Sequence, residues 1–111
     1  MVNSLKPLNK RFVVMPPPNG DYPAEYIGGA NYHYFTEIRD ALRNEYPNNF
    51  LDIWQLWVES YDPTKPQDVI DHGRGITPTS TRYDSLHPNG HLGNVLIAGF
   101  VKNYLIDFKG Y

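Results

Sequence analysis

The residues of this 111-residue chain with the clearest capacity for chemistry are Asp84 and His87, in the stretch 83–91, YDSLHPNGH. An imidazole accepts a proton from a nucleophile only when an acceptor such as a carboxylate holds its other nitrogen in the right tautomer. A carboxylate three positions before a histidine can do this within one short loop. The spacing therefore predicts catalytic roles for Asp84 and His87 as the acid–base half of a Ser-His-Asp triad.

Two further sets of residues could have another function, zinc binding in one case and sugar stacking in the other. His87 and His91 have a spacing that zinc ligands use, but Pro88 takes His87 off a regular helix face and no other ligands have motif spacing. Trp54 and Trp57 could form a sugar-stacking platform, or could belong to the core, which the sequence favours. We therefore expect no metal, no cofactor and no cofactor-binding residue.

Composition limits the classes of partner. The formal net charge is −2 and no run of Lys or Arg is present, which argues against nucleic acid. The absence of cysteine excludes disulfides and thiolate metal sites. No apolar run is long enough for a signal peptide or a membrane span, so we expect no membrane partner and one domain at most.

The elements that must position the pair are predicted from hydrophobic patterning. After an irregular lead-in at 1–10, the apolar run 11–15 is typical of a buried strand that ends at a triple proline. Residues 31–46 have helical spacing, and 50–54 resemble a second strand, which together predict a β-α-β unit with parallel strands. The apolar face of the predicted helix consists of Tyr34, Ile38, Ala41 and Leu42.

The second half of the chain is predicted to be a loop followed by one helix. Residues 55–82 are polar and rich in Pro, Thr and Asp, with one or two helical turns around 66–71. Residues 92–108 have the period of a closing helix. Its apolar stripe is Ile97, Val101, Tyr104, Leu105 and Phe108.

The element DSLHPNG at 84–90, with the order of elements around it, resembles the C-terminal half of an SGNH hydrolase, the GDSL-type esterase family. The resemblance covers roughly residues 11–108, and the Asp-x-x-His-Pro-Asn element is its specific part. It implies an α/β fold, the C-terminal part of a flavodoxin-like three-layer α/β/α sandwich, so that residues 11–111 would be a partial SGNH hydrolase-like domain. It also implies that His87 is the base and Asp84 its orienting carboxylate.

The chain departs from the family pattern because the Gly-Asp-Ser nucleophile and the oxyanion blocks are absent. Ser85 follows an Asp, but Tyr83 stands where the motif has Gly and no buried strand precedes it, so we reject Ser85 as the nucleophile. Asn31 mimics the oxyanion block at 29–31 and is expected to cap the following helix instead. We expect this chain alone to be inactive as an esterase.

These observations predict the C-terminal segment of an SGNH-type esterase acting on acylated substrates, with O-acetylated carbohydrate favoured. The loop 71–82 is similar to loops of SGNH domains in phage tail spikes, which favours an extracellular or virion-associated setting. Expected partners are an acylated carbohydrate or small ester, the missing N-terminal half, or other copies of the chain. The alternative is a non-catalytic glycan-binding or oligomerisation module, such as a separately produced tail-spike terminus.

Overall fold

The computed structural model describes residues 12–108, except for the side chains of residues 107 and 108. The lead-in, the start of the predicted first strand and the Phe108 side chain lie outside this range. Among the described residues, no helix is both long and apolar enough to cross a membrane. The elements are α1 (Tyr32–Glu45), α2 (Ile53–Val58), α3 (Pro66–Arg74), α4 (Gly93–Asn103), a π turn at Tyr104–Phe108, and 3-10 turns at Pro23–Glu25 and Thr79–Thr81.

The predicted α/β fold with parallel strands is wrong, because the described part of the chain contains no strand or sheet. The predicted strands are reduced to one parallel bridge between Val14 and Phe50. The Val14 amide donates to Asn49 O at 2.8 Å, and Val14 O accepts from the Leu51 amide at 2.9 Å. Pro16, which follows soon after, has no amide to extend the ladder.

The predicted second strand at 50–54 ends early because helix α2 begins within it. The Asp52 carboxylate accepts a hydrogen bond from the Gln55 amide at 3.1 Å and so caps the first turn of α2. With helical spacing, one face of α2 is buried, and it consists of Ile53, Trp54, Trp57 and Val58.

Both tryptophans belong to the core, as the sequence favours. Trp54 and Trp57 are each 2% exposed. The Trp54 indole donates to Asn19 Oδ1 at 2.8 Å, and the Trp57 indole donates to Thr81 Oγ1 at 2.7 Å. Because each buried N–H has a partner, its hydrogen bond offsets the cost of removing the N–H from water, and burial of these large rings stabilises the fold. Trp57 is therefore excluded as a sugar platform.

Helix α1 has nearly the predicted bounds, but it packs through a different face. Tyr34 is 54% exposed, Ile38 is 44% exposed and Ala41 is exposed, so most of the predicted apolar face points outward, whereas Leu42 is half-buried. The half-buried Tyr32 and Phe35 instead place their ring centroids 5.7 and 6.1 Å from that of Trp54. Contact with a large buried aromatic ring decides which apolar face turns inward.

Helix α3 is longer than the predicted one or two turns, and it holds the following loop through two buried carboxylates. Asp68 accepts hydrogen bonds from the amide and hydroxyl of Ser80, and Asp71 accepts them from the amide and hydroxyl of Thr79. Asp68 is 1% exposed and Asp71 is fully buried. The helix ends at Gly75, whose φ of 71° is the left-handed conformation that favours glycine.

Helix α4 begins one residue later than predicted and gives way to a π turn before residue 108. Asn89 Oδ1 accepts hydrogen bonds from the amides of Leu92 and Gly93 at 2.8 and 2.9 Å. Gly93 packs against the preceding loop so closely that a Cβ atom there would lie 2.2 Å from Thr81 O. The predicted stripe residues Ile97, Val101, Tyr104 and Leu105 are half-buried.

The close approach of α4 to the loop predicts opposite effects of two alanine substitutions in one helix. Gly93→Ala should lower the free energy of unfolding by about 2 kcal/mol or more, because the added methyl meets backbone that cannot rotate away. Gly99→Ala is the matched control, since no atom lies within 4 Å of its Cβ position, and it should be neutral or stabilising by up to about 1 kcal/mol. Urea unfolding measures both. Equal effects would contradict this packing.

Candidate functional site

The turn at 84–87 is built around the carboxylate of Asp84. Its Oδ1 accepts hydrogen bonds from the amides of Leu86 at 2.8 Å and His87 at 2.7 Å. The Tyr83 amide donates to His87 O at 2.7 Å and closes the turn. Asp favours such turns because its short side chain reaches the backbone two or three residues on. The sequence therefore forms this loop from local contacts.

The same carboxylate contacts the imidazole, so the structure brings the two predicted site residues together. His87 Nδ1 lies 2.9 Å from Asp84 Oδ2 and 3.1 Å from Oδ1. When Nδ1 carries the ring proton and donates a hydrogen bond to the carboxylate, Nε2 carries the free lone pair. Nε2 has no hydrogen-bond partner among the described residues, and the His87 side chain is 69% exposed. This geometry is the one that a general base requires.

Hydrogen bonds to the charged form lower the pKa of Asp84 to about 2. The His87 amide is the largest cause, followed by the Leu86 amide and then the His87 side chain. Asp84 is therefore ionised at neutral pH. A negative charge beside Nδ1 favours the ring tautomer in which Nδ1 carries the proton.

Arg82 anchors the turn to helix α3. Its Nη1 donates to Asp84 O at 3.0 Å, its Nε donates to Thr77 O at 3.0 Å, and its Nη2 donates to Asp71 Oδ2 at 3.3 Å. The side chain is only 4% exposed, so its three donor groups act where water is scarce. Arg82 also forms an antiparallel bridge with Pro88 on the far side of the turn.

The segment after the triple proline reaches the same turn, which the sequence did not reveal. The Asp21 amide donates to Ser85 O at 2.7 Å, and Gly20 packs so closely that its Cβ would lie 3.1 Å from that oxygen. Asp21 also accepts a hydrogen bond from Tyr26, which raises the pKa of the Tyr26 hydroxyl. The sequence Asn-Gly-Asp at 19–21 predicts a turn, but it does not indicate that this turn contacts the loop at Ser85.

The other candidates do not join the pair. Among the described residues no hydrogen bond connects Ser85 to His87, and no group of three His, Cys, Asp or Glu side chains could hold a metal ion. Asn31 occupies the N-cap position of α1 but makes no side-chain capping hydrogen bond. His91 is exposed. The described site therefore consists of Asp84 and His87, without a nucleophile.

The low pKa of Asp84 predicts a specific acid sensitivity. Because the pKa is lower in the folded chain, the ionised carboxylate stabilises the fold above its ordinary pKa of 3.8, and this stabilisation is lost as the pH falls towards about 2. Asp84→Asn, which keeps an oxygen for both amides, should show less loss of melting temperature between pH 4 and pH 2. Glu37→Gln, on the exposed side of α1, is the control. An unchanged pH profile for Asp84→Asn would refute the assignment.

Comparison with known proteins relates the chain to a phage protein. No family model matches the chain, and no solved structure does. The chain is similar to the tail spike protein of Salmonella phage epsilon15, with 31% identity over 114 residues and 92% of this chain covered. The match spans only 10% of that protein's length. The described site thus lies in a chain similar to a segment of a phage tail spike, and the resemblance to SGNH hydrolases gains no support from these comparisons.

Proposed function

We propose that this chain is a segment of a phage tail-spike protein in which Asp84 and His87 supply the general base of an ester hydrolase. The observation that carries the proposal is the 2.9 Å contact between His87 Nδ1 and Asp84 Oδ2, combined with an exposed Nε2. The similarity to a tail spike supports a virion-associated setting. O-acetylated carbohydrate is the substrate class that this proposal assigns.

The mechanism needs a serine from outside the described residues. His87 Nε2 would take the proton of that hydroxyl as its oxygen attacks the acyl carbon, and the ester C–O bond would break as His87 returns the proton to the leaving sugar oxygen. Water, deprotonated by the same nitrogen, would then release the acid and restore the serine. Asp84 stays ionised throughout, because its pKa lies far below neutral pH.

A second candidate function is a non-catalytic glycan-binding or assembly module. The similarity to a tail spike, without a match to an esterase family, favours it. Apolar side chains also remain exposed on several elements, including Ile38 on α1 at 44% and Val95 on α4 at 63%. Contact with another chain would require such residues to form one contiguous patch. Sedimentation of the 111-residue chain at micromolar concentration tests the assembly form of this candidate, and a clean monomer would contradict that form.

The catalytic proposal predicts different effects for two nearby histidines. In the natural protein that contains this segment, His87→Ala should lower kcat for acetate release from an O-acetylated polysaccharide by about 10³-fold or more. His91→Ala, also an exposed histidine, should leave kcat unchanged. Normal turnover after His87→Ala would overturn the proposal. Absence of acetate release from the wild-type protein would also overturn it and leave the binding module.

A further inference from the structure

Tyr83 is the most exposed large apolar side chain in the described part of the chain, and the proposed mechanism does not use it. Tyr83 is 80% exposed, whereas Trp54 and Trp57 are each 2% exposed, so a ligand can reach the Tyr83 ring but not the indoles. A ring left in water adds little to stability, because it is the burial of apolar area that stabilises a fold. Tyr83 therefore supplies accessible aromatic surface and is not part of the core.

Tyr83 and His87 lie opposite each other in a short antiparallel pairing. Arg82 and Pro88 form the bridge, and the Tyr83 amide donates to His87 O at 2.7 Å on the side nearer the turn. Residues directly opposite each other in such a pairing carry their side chains on the same face, with Cβ atoms about 4.5–5.5 Å apart. The pairing therefore places the side chains of Tyr83 and His87 next to each other on one face of the turn.

Exposure alternates along this pairing, as the strand geometry requires. The Arg82 side chain is 4% exposed on the inner face, whereas Tyr83 is 80% exposed and the His87 side chain is 69% exposed on the outer face. The inner face is fixed, because the Arg82 guanidinium donates to Thr77 O and to Asp71 Oδ2. The backbone that carries Tyr83 and His87 is thus held in position before a substrate arrives, which lowers the entropic cost of binding.

We infer that Tyr83 is a substrate-contact residue of the proposed hydrolase and makes it select sugar esters over small esters that have no ring. An ester oxygen that reaches His87 Nε2 brings its sugar next to the neighbouring side chain on the same face. The C–H face of a pyranose packs on an aromatic ring, while the phenol hydroxyl can pair with a sugar hydroxyl. Tyrosine has only two side-chain torsions to fix, so the contact costs little entropy. The inference rests on the proposed function, because it needs His87 to act as the base.

The test compares two kinds of ester in the natural protein that contains this segment. Acetate release is measured with acetylated methyl glycosides of glucose, galactose and mannose, and with ethyl acetate, which has no ring. For at least one glycoside, Tyr83→Ala should lower kcat/KM about fivefold or more, because the ring that holds the sugar is lost. The kcat/KM for ethyl acetate should stay unchanged. A purely structural role of Tyr83 would lower kcat/KM equally for both kinds of ester.

Two further variants control the comparison. Tyr83→Phe keeps the ring and should retain most of the wild-type preference for the glycoside. Tyr34→Ala removes an exposed tyrosine from α1 and should leave both kcat/KM values unchanged. The inference alone is overturned if Tyr83→Ala keeps the wild-type ratio of the two kcat/KM values, whether both values persist or both fall. If the wild-type protein releases acetate from no substrate, the proposed function is wrong and the inference is wrong with it.

Discussion

The described structure depends on the burial of two carboxylates, Asp68 and Asp71, beneath the loop that follows α3. A carboxylate removed from water costs several kcal/mol unless donors surround it. Asp71 receives donors from Gln67, Thr79 and Arg82. Since these donors come mainly from the loop, neither α3 nor the loop can keep its position without the other. A polar segment predicted as a loop thus contributes several buried side chains to the core.

The position of Asp84 and His87 follows from that constraint. Arg82 is held by Asp71 and in turn holds Asp84 O, while Asn89 donates to Ser80 O at 2.9 Å and also caps α4. His72, which follows Asp71 in α3, contacts a different element, since its Nε2 lies 3.1 Å from Glu59 Oε2. Neighbouring positions on a helix point about 100° apart, so Asp71 and His72 face different parts of the chain.

The sequence could predict the local parts of the site but not the long-range ones. Asp84 and His87 meet as expected because both belong to one turn, whose geometry Asp84 itself determines. The contact between Asp21 and Ser85 joins positions far apart in sequence, and no local sequence pattern predicts it. The prediction of the fold was wrong for a related reason. The short apolar run 50–54 fits a strand or a buried helix equally well. The Asp52 carboxylate stabilises the helix because it caps the first turn of α2.

The Asp84 turn is formed by contacts within residues 84–87, so its geometry does not indicate which fold surrounds it. The largest causes of the low pKa of Asp84 are two amides within three residues, and neither requires a sheet. The motif can therefore be correct while the parallel α/β architecture inferred with it is wrong. The correction of the fold therefore leaves the geometry of the turn unchanged. The exposed ring leaves the Nε2 side of His87 open to a hydroxyl group from another part of the protein.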